Sequence, residues 1–318
     1  MPTLLLLLSL ARADDTPSAA IAGIGGASVA DPSDTTALRT NPAAISLAER
    51  YDVQGSFLYG PERDLRWVAA IIDSQTSGFL SFGVSYAGTR TTSTPFHPDD
   101  LPPFGITGEE LVNVQQRHDV HFSLAAPFLE RRLSAGLGGS LNVLVTPWRG
   151  QEITGNLTLG VAARPVEWLS LGASFRDVLP VAKQNERPAT ATFGVRGGKE
   201  DLVFGAVEAD VQLEGLDTIV GPPASVRAGI EGVVRFVRGR AGWQWDGPAN
   251  LHTLRFGVGL GNTAGSLDYT LIVPVGSESR GGAGLQHVFS VTLHTAAISN
   301  QAEEEDALRG QGVRRDRR

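Results

Sequence analysis

The chain has no cysteine and a single methionine among 318 residues. Without thiols there is no disulfide framework, no thiolate metal site, no cysteine nucleophile and no cysteine-linked lipid anchor. Charge is sparse as well: Asp, Glu, Lys and Arg make up 19% of the sequence, against about 25% in an ordinary soluble domain. The net charge of −7 leaves no basic footprint, so nucleic acid is not an expected partner. Beyond the first dozen residues, no segment approaches the roughly 18 consecutive apolar residues that a membrane-spanning helix needs. Helix-period patterning is also scarce; Gly108–Val112 amounts to one turn at most.

What is there begins with an apolar run, Leu4–Leu8 continuing through Leu10, followed by the small-x-small triplet Ala11-Arg12-Ala13. This pattern predicts a cleaved signal peptide over residues 1–13, although no Lys or Arg precedes the run and a short buried helix is the alternative. An exported chain without a helical span is periplasmic, secreted, or a β-barrel in the outer membrane.

From Tyr51 onward the sequence alternates with period two, the signature of strands. Leu80, Phe82, Val84 and Tyr86 are separated by Ser or Gly, and Val120, Phe122 and Leu124 alternate with His121 and Ser123. The same pattern recurs through Phe289, Val291 and Leu293. About fourteen strands of roughly ten residues result, the length that a tilted strand needs to cross a bilayer. The large apolar face carries no charge. The other face carries Arg176, Arg196, Glu208, Asp210, Arg227, Glu231, Arg235, Arg255 and Asp268 among Ser, Thr and Gly. A charge on the lipid side would cost about 2–4 kcal/mol at mid-bilayer, so these nine residues are expected to face a lumen. Their signs nearly balance, which predicts pairing inside the bore more than a strongly ion-selective pore.

A β-sandwich also alternates, with its apolar faces turned inward. The connections separate the two folds. A long one runs from Tyr86 to about Gln115, then Pro127–Arg132 is short, Thr146–Glu152 longer and Arg164–Glu167 short. Long Val178–Pro188 and Glu214–Pro223 alternate with short Gly197–Glu200 and a minimal turn at Val237–Arg238. Barrels with short periplasmic turns and long external loops do this; Greek-key sandwiches have no reason to. Tyr51, Phe128, Trp168 and Phe236 fall near the short-turn ends, as one aromatic girdle would. The expectation is an all-β fold, a closed antiparallel transmembrane barrel over residues 51–295, in the outer membrane with the lipid bilayer as its first partner. Residues 14–50 form a separate Ala/Gly/Ser/Asp-rich segment. Residues 296–318 form a charged periplasmic tail whose acidic and basic blocks read as disordered.

The segment before the first strand carries a resemblance. Gly23–Asp31, then Ala37-Leu-Arg-Thr followed by Asn41-Pro42-Ala43-Ala44, resembles the leader of FadL-type transporters of hydrophobic compounds and of PorV/PorQ-type barrels. The resemblance implies a hatch: an N-terminal plug folded inside the lumen, with Asn41, Pro42 and Ala43 in the lumen near the first strand. The residues themselves agree in part, because Pro42 pushes Asn41 toward an extended or turn conformation and cannot donate to a ladder; an ordinary linker ending in an Asn-Pro turn is the alternative. Two departures stand out. The chain ends in Arg318 rather than an aromatic residue, and the longest loop offers only Phe96, Leu101, Phe104, Ile106 and Leu111 as apolar side chains.

Enzymatic chemistry and cofactors are not expected. Gly257-x-Gly259-x-Gly261 alternates with Phe256, Val258 and Leu260 and precedes no helix, so it reads as the crowded inner face of a strand and not as a phosphate loop. His118 and His121 fall on opposite faces of one strand and cannot share a metal. Two functions remain open: passive transport of small hydrophobic or amphipathic molecules gated by residues 14–50, or a PorV-like barrel that holds or shuttles protein partners through its tail or loops.

Overall fold

The computed structural model describes residues 17–60, 64–75, 79–93, 113–146, 150–178, 188–213, 222–248, 250–276 and 284–295. The expected signal peptide, the tail, most of the longest loop and Trp148 lie outside these residues. Fourteen strands follow one another as antiparallel neighbours, and β1 (Tyr51–Tyr59) closes the ring against β14 (Gln286–His294). The order around the ring is the order of the sequence, so every connection is a hairpin. Closure leaves no unpaired sheet edge, which is what a strand-built protein requires in hydrocarbon.

The two faces of the wall are inverted relative to a water-soluble protein. Large apolar side chains such as Phe82, Phe122, Leu141, Val207, Phe256 and Val258 lie exposed on the outside. Charged and hydroxylic side chains, among them Asp119, Glu208, Asp268 and Thr270, are buried inside. A sandwich of the same sequence would bury the first set and expose the second. Phe128, Trp168 and Phe236 are exposed at the short-turn end, where an interfacial girdle belongs.

The strands differ from the sequence expectation where they are longest. β3 (Ser81–Ser93), β4 (Asn113–Phe128), β5 (Leu133–Thr146) and β6 (Gly150–Val166) extend well past ten residues. The connection expected to be long at Thr146–Glu152 is a tight one: Thr146 pairs with Gly150, and the wall is raised there by paired strand. Polar residues such as Gln151, Glu152 and Thr154 break the apolar alternation without breaking the hydrogen-bond ladder, so hydrophobic pattern alone ends these strands too early.

One lumen assignment is corrected. Arg235 was expected to face the bore, with the turn at Val237–Arg238. The turn lies instead between β10 (Ala224–Val234) and β11 (Val237–Asp246), and Arg235 occupies it with φ 59. Its side chain is exposed. A two-residue hairpin favours a left-handed backbone that an apolar branched residue such as Val237 resists. The wall has one register irregularity, an extra residue on β6 between Ala163 and Val166 opposite β7 (Leu169–Arg176), where Pro165 removes a ladder donor.

Candidate functional site

Residues 17–50 run across the inside of the ring. Ser18 opens α1 (Ala19–Gly23), its hydroxyl accepting from the Ile21 amide. A second short helix, α2 (Ala37–Thr40), leads through Asn41 into a 3-10 helix over Pro42–Ser46. These pieces are too short to be stable alone; the wall holds them. α1 packs on β11, on β12 (Leu251–Asn262), on β13 (Gly265–Val275) and on β14, while the 3-10 helix packs on β3–β6.

The wall admits the segment through glycine. A β-carbon at Gly172 would strike the Val29 carbonyl, at Gly229 the Ile24 backbone, at Gly242 the Gly25 amide, and at Gly160 the Asn41 side chain. Gly257 lies against Gly23, so the glycine run of β12 is packing surface, as its alternation suggested. The segment has its own glycine requirement at Gly25, where φ is 81 and a β-carbon would lie 2.5 Å from the Ala228 carbonyl oxygen. No L side chain fits that backbone or that space.

The first half of the segment is held by charge. Glu208 on β9 (Val203–Gln212) accepts the Ser28 and Val29 amides at 2.6 and 2.7 Å. Its other oxygen meets Arg227 at 2.5 Å, and Arg227 also meets Asp210 at 2.6 Å. Asp210 in turn accepts from Thr192 at 2.7 Å and lies 3.6 Å from Arg176. Asp31 of the segment faces Arg196 on β8 (Thr190–Lys199) at 3.5 Å, with the Arg196 guanidinium stacked 3.9 Å above the Phe204 ring. Below α1, Arg240 bridges Glu231 and Asp268, the latter at 2.7 Å. Arg255 bonds Gln244 and lies beside Gly26. Eight of the nine residues proposed for the lumen thus stand within this inward-facing region, and Arg235 does not. Charged pairs of this kind gain from each other in a bore that excludes water, because each partner offsets the cost of the other's burial.

The second half is held chiefly by apolar packing and neutral hydrogen bonds, with ion pairs only at its end, Glu49 to Arg131 at 3.0 Å and Arg50 to Asp52 at 3.1 Å. Leu38, Ile45 and Leu47 form one buried cluster with Val68, Ala70 and Ile72 of β2 (Leu65–Asp73) and with Ala87, Ala125 and Ala162 of neighbouring strands. Ser123 donates to the Leu38 carbonyl at 2.7 Å, and the Ser46 and Ser134 hydroxyls touch. Asn41 is fully buried. Its amide donates to the Val29 carbonyl at 2.7 Å and to the Val161 carbonyl of β6 at 3.1 Å, while its side-chain oxygen caps the Ala43 amide. One residue therefore joins both halves of the segment to the wall. Asn41, Pro42 and Ala43 are inside the ring but lie against β5 and β6, far around the barrel from the first strand where the resemblance implied them. The chain from Ile45 to Arg50 recrosses the mouth to reach β1. There Arg131 donates to the Ser46 carbonyl at 2.9 Å and the Ser74 carbonyl at 3.0 Å.

Period-two reading found Glu208, Asp210 and Arg227 because they sit on strands. It passed over Arg240, Arg117 and Asp119, which obey the same parity and were there to be read. Asp31, Asp34 and Arg39 carry no periodic signal, since the segment that holds them has none. Between α1 and the wall, a cavity of about 180 Å³ is lined by Asp31, Asp34, Glu231, Arg240, Asp268 and others. It is polar, and among the described residues no acidic or histidine group is arranged to hold a metal ion.

No family model matches the sequence, and no curated protein matches it. Solved structures do. The toluene transporter TbuX of Ralstonia pickettii is 14% identical over 88% of this chain and 98% of that one, with a TM-score of 0.64. The CymD monoaromatic hydrocarbon channel is 12% identical over 87% and 97%, with a TM-score of 0.64. The toluene transporter TodX of Pseudomonas putida is 10% identical over 87% and 96%, with a TM-score of 0.61. At such identities the likeness is one of fold. Together with the lipid-facing surface and the closed ring, it shows an outer-membrane β-barrel with the fold of these proteins.

Proposed function

We propose that the protein is a gated conduit for small hydrophobic or amphipathic molecules across the outer membrane, with residues 17–50 as the gate. The observation that carries this reading is the glycine-lined seat. The inner wall gives up side chains at Gly160, Gly172, Gly229 and Gly242 where the segment's backbone lies. A wall built only to be filled would be filled by its own side chains, as small barrels are. Here the filling is a separate stretch of chain, and such a stretch can leave. The wall around it offers no lateral exit: among the described residues every neighbouring strand pair is in register apart from the one extra residue on β6. In this reading passage requires the segment to move. An apolar inner surface exists beside it, where Leu58, Ile272 and Val288 meet Ala19 and Ala22. The similar structures are named as hydrocarbon channels, and nothing among them favours the PorV-like scaffold.

The test is deletion of residues 17–50 from the exported chain, with permeability to labelled toluene measured in outer-membrane vesicles. The conduit reading expects a barrel that still shows heat-modifiable migration and admits the solute faster than the full chain. Unchanged permeability in the folded deletion variant removes the gate.

A further inference from the structure

The wall on the external side of α2 changes character along its own register. One cross-strand row reads Ala70, Ser85, His121, Ser140 and Asn156 from β2 to β6. The next row outward reads Val68, Ala87, Asp119 and Asn142. Both begin apolar on β2, the second stays apolar on β3 at Ala87, and they end in carboxamides on β6 and β5. All of these side chains point into the bore, directly above the level where Ser123 holds the Leu38 carbonyl.

The carboxamide end is unfinished. Asn156 is 4% exposed, yet neither its amide nor its carbonyl oxygen has a hydrogen-bond partner. The Asn142 side-chain oxygen, in a residue 2% exposed, has none either, and the Ser85 hydroxyl is likewise unpaired. Asn142 spends its amide on Ser140 at 3.4 Å. Buried polar groups are almost always satisfied in folded proteins, and those left open ask for an explanation. Among the described residues other buried polar atoms are open elsewhere in the bore, but Asn142 and Asn156 bring two carboxamides together on the adjacent strands β5 and β6.

We infer that this polar wall is a subsite for the hydroxyl group of the transported solute, so that the preferred cargo is a monohydroxylated apolar molecule, an alcohol or a phenol. The inference rests on the conduit reading above. The unmet atoms decide the chemistry. Two carboxamide oxygens need a donor, and the Asn156 amide needs an acceptor. A hydroxyl donates to one of these oxygens and accepts from the amide through a single atom. A bare hydrocarbon offers neither. An ionised carboxylate brings acceptors only and would set them against the two carboxamide oxygens. The nearby cations are already directed at a carboxylate: Arg117 faces Asp119 at 3.4 Å, and Arg39 of the segment acts on the same Asp119. The apolar body of the solute would lie on Val68, Ala70 and Ala87, at the other end of the same rows, once Leu38, Ile45 and Leu47 of the segment leave them. A site built around hydrogen bonds discriminates strongly against an analogue that lacks the bonding group.

Toluene, p-cresol and p-toluate share one ring and differ only in the polar end. Their uptake is compared in outer-membrane vesicles with and without the full chain. Protein-dependent uptake of p-cresol is expected to exceed that of the other two by about tenfold. The double variant Asn142→Leu with Asn156→Leu, checked by heat-modifiable migration, is expected to lose that preference. Equal uptake of p-cresol and toluene by the unaltered protein overturns the inference, and means that water alone meets these groups. Fastest uptake of p-toluate overturns it as well. The unaltered protein decides both points even if the double variant does not fold. Uptake of all three that is independent of the protein is a different failure, since it removes the conduit itself.

Discussion

The two halves of the luminal segment are seated by different physics. Residues Ser18–Asp34 lie chiefly against β7–β14, where the wall presents Glu208, Arg227, Arg196 and Arg240, and amide–carboxylate bonds and ion pairs add to the apolar contacts of Ile21 and Ile24 with Phe204 and Ala206. Residues Thr35–Arg50 lie against β1–β6, where the wall presents Val68, Ala70, Ile72 and small hydroxyls, and are fixed chiefly by apolar burial, with one buried ion pair at the end from Arg50 to Asp52. Apolar contact is non-directional and survives small shifts. A charged seat is directional, and removing one partner leaves the other buried and unpaired. The charged half should therefore release as a unit once one contact is lost, whereas the apolar half should loosen by degrees.

The largest effect expected from breaking this comparison is Glu208→Ala. It removes the acceptor of two backbone amides and one partner of Arg227, a loss of about 3–5 kcal/mol for a buried pair. Hydrogen exchange at the Ser28 and Val29 amides should speed sharply, with Leu38–Ser46 little changed. Next comes the mirror substitution, Ile45→Ala, at about 2–4 kcal/mol for a buried aliphatic side chain. Exchange should rise around Ala44 and Leu47 while Ser28 and Val29 stay protected. If either variant loosens both halves equally, the two seats are not independent. Asn41→Ala is expected to cost the least, about 1–2 kcal/mol for a capping side chain, but to raise exchange on both sides at once, because Asn41 alone bonds Val29, Val161 and Ala43.

Much of the wall was legible because strands have a period. Phe82, Phe122 and Val258 declared the lipid face, and Glu208, Asp210 and Asp268 the lumen. Strand ends were less legible: around Gln151–Thr154 polar residues continue the ladder beyond the apolar pattern, and Arg235 keeps inward parity while sitting in a turn. The seat was hardly legible at all. Gly160, Gly172, Gly229 and Gly242 obey inward parity, yet what they accommodate lies some hundred residues or more distant in sequence, such as Val29 at Gly172. Only ring closure brings them together. The position of Asn41-Pro42-Ala43 opposite β5 and β6 follows from the path of a chain with no repeating pattern.

The Ser46 and Ser134 hydroxyls touch across the boundary between segment and wall, and the chain has no cysteine of its own. The double variant Ser46→Cys with Ser134→Cys therefore creates the only two thiols, placed to join the segment to β5. Protein-dependent toluene uptake should fall to the protein-free level when the pair is oxidised and return on reduction. Equal uptake in the oxidised and reduced states would mean that solute passes with the segment still in its seat, and would contradict its role as the gate.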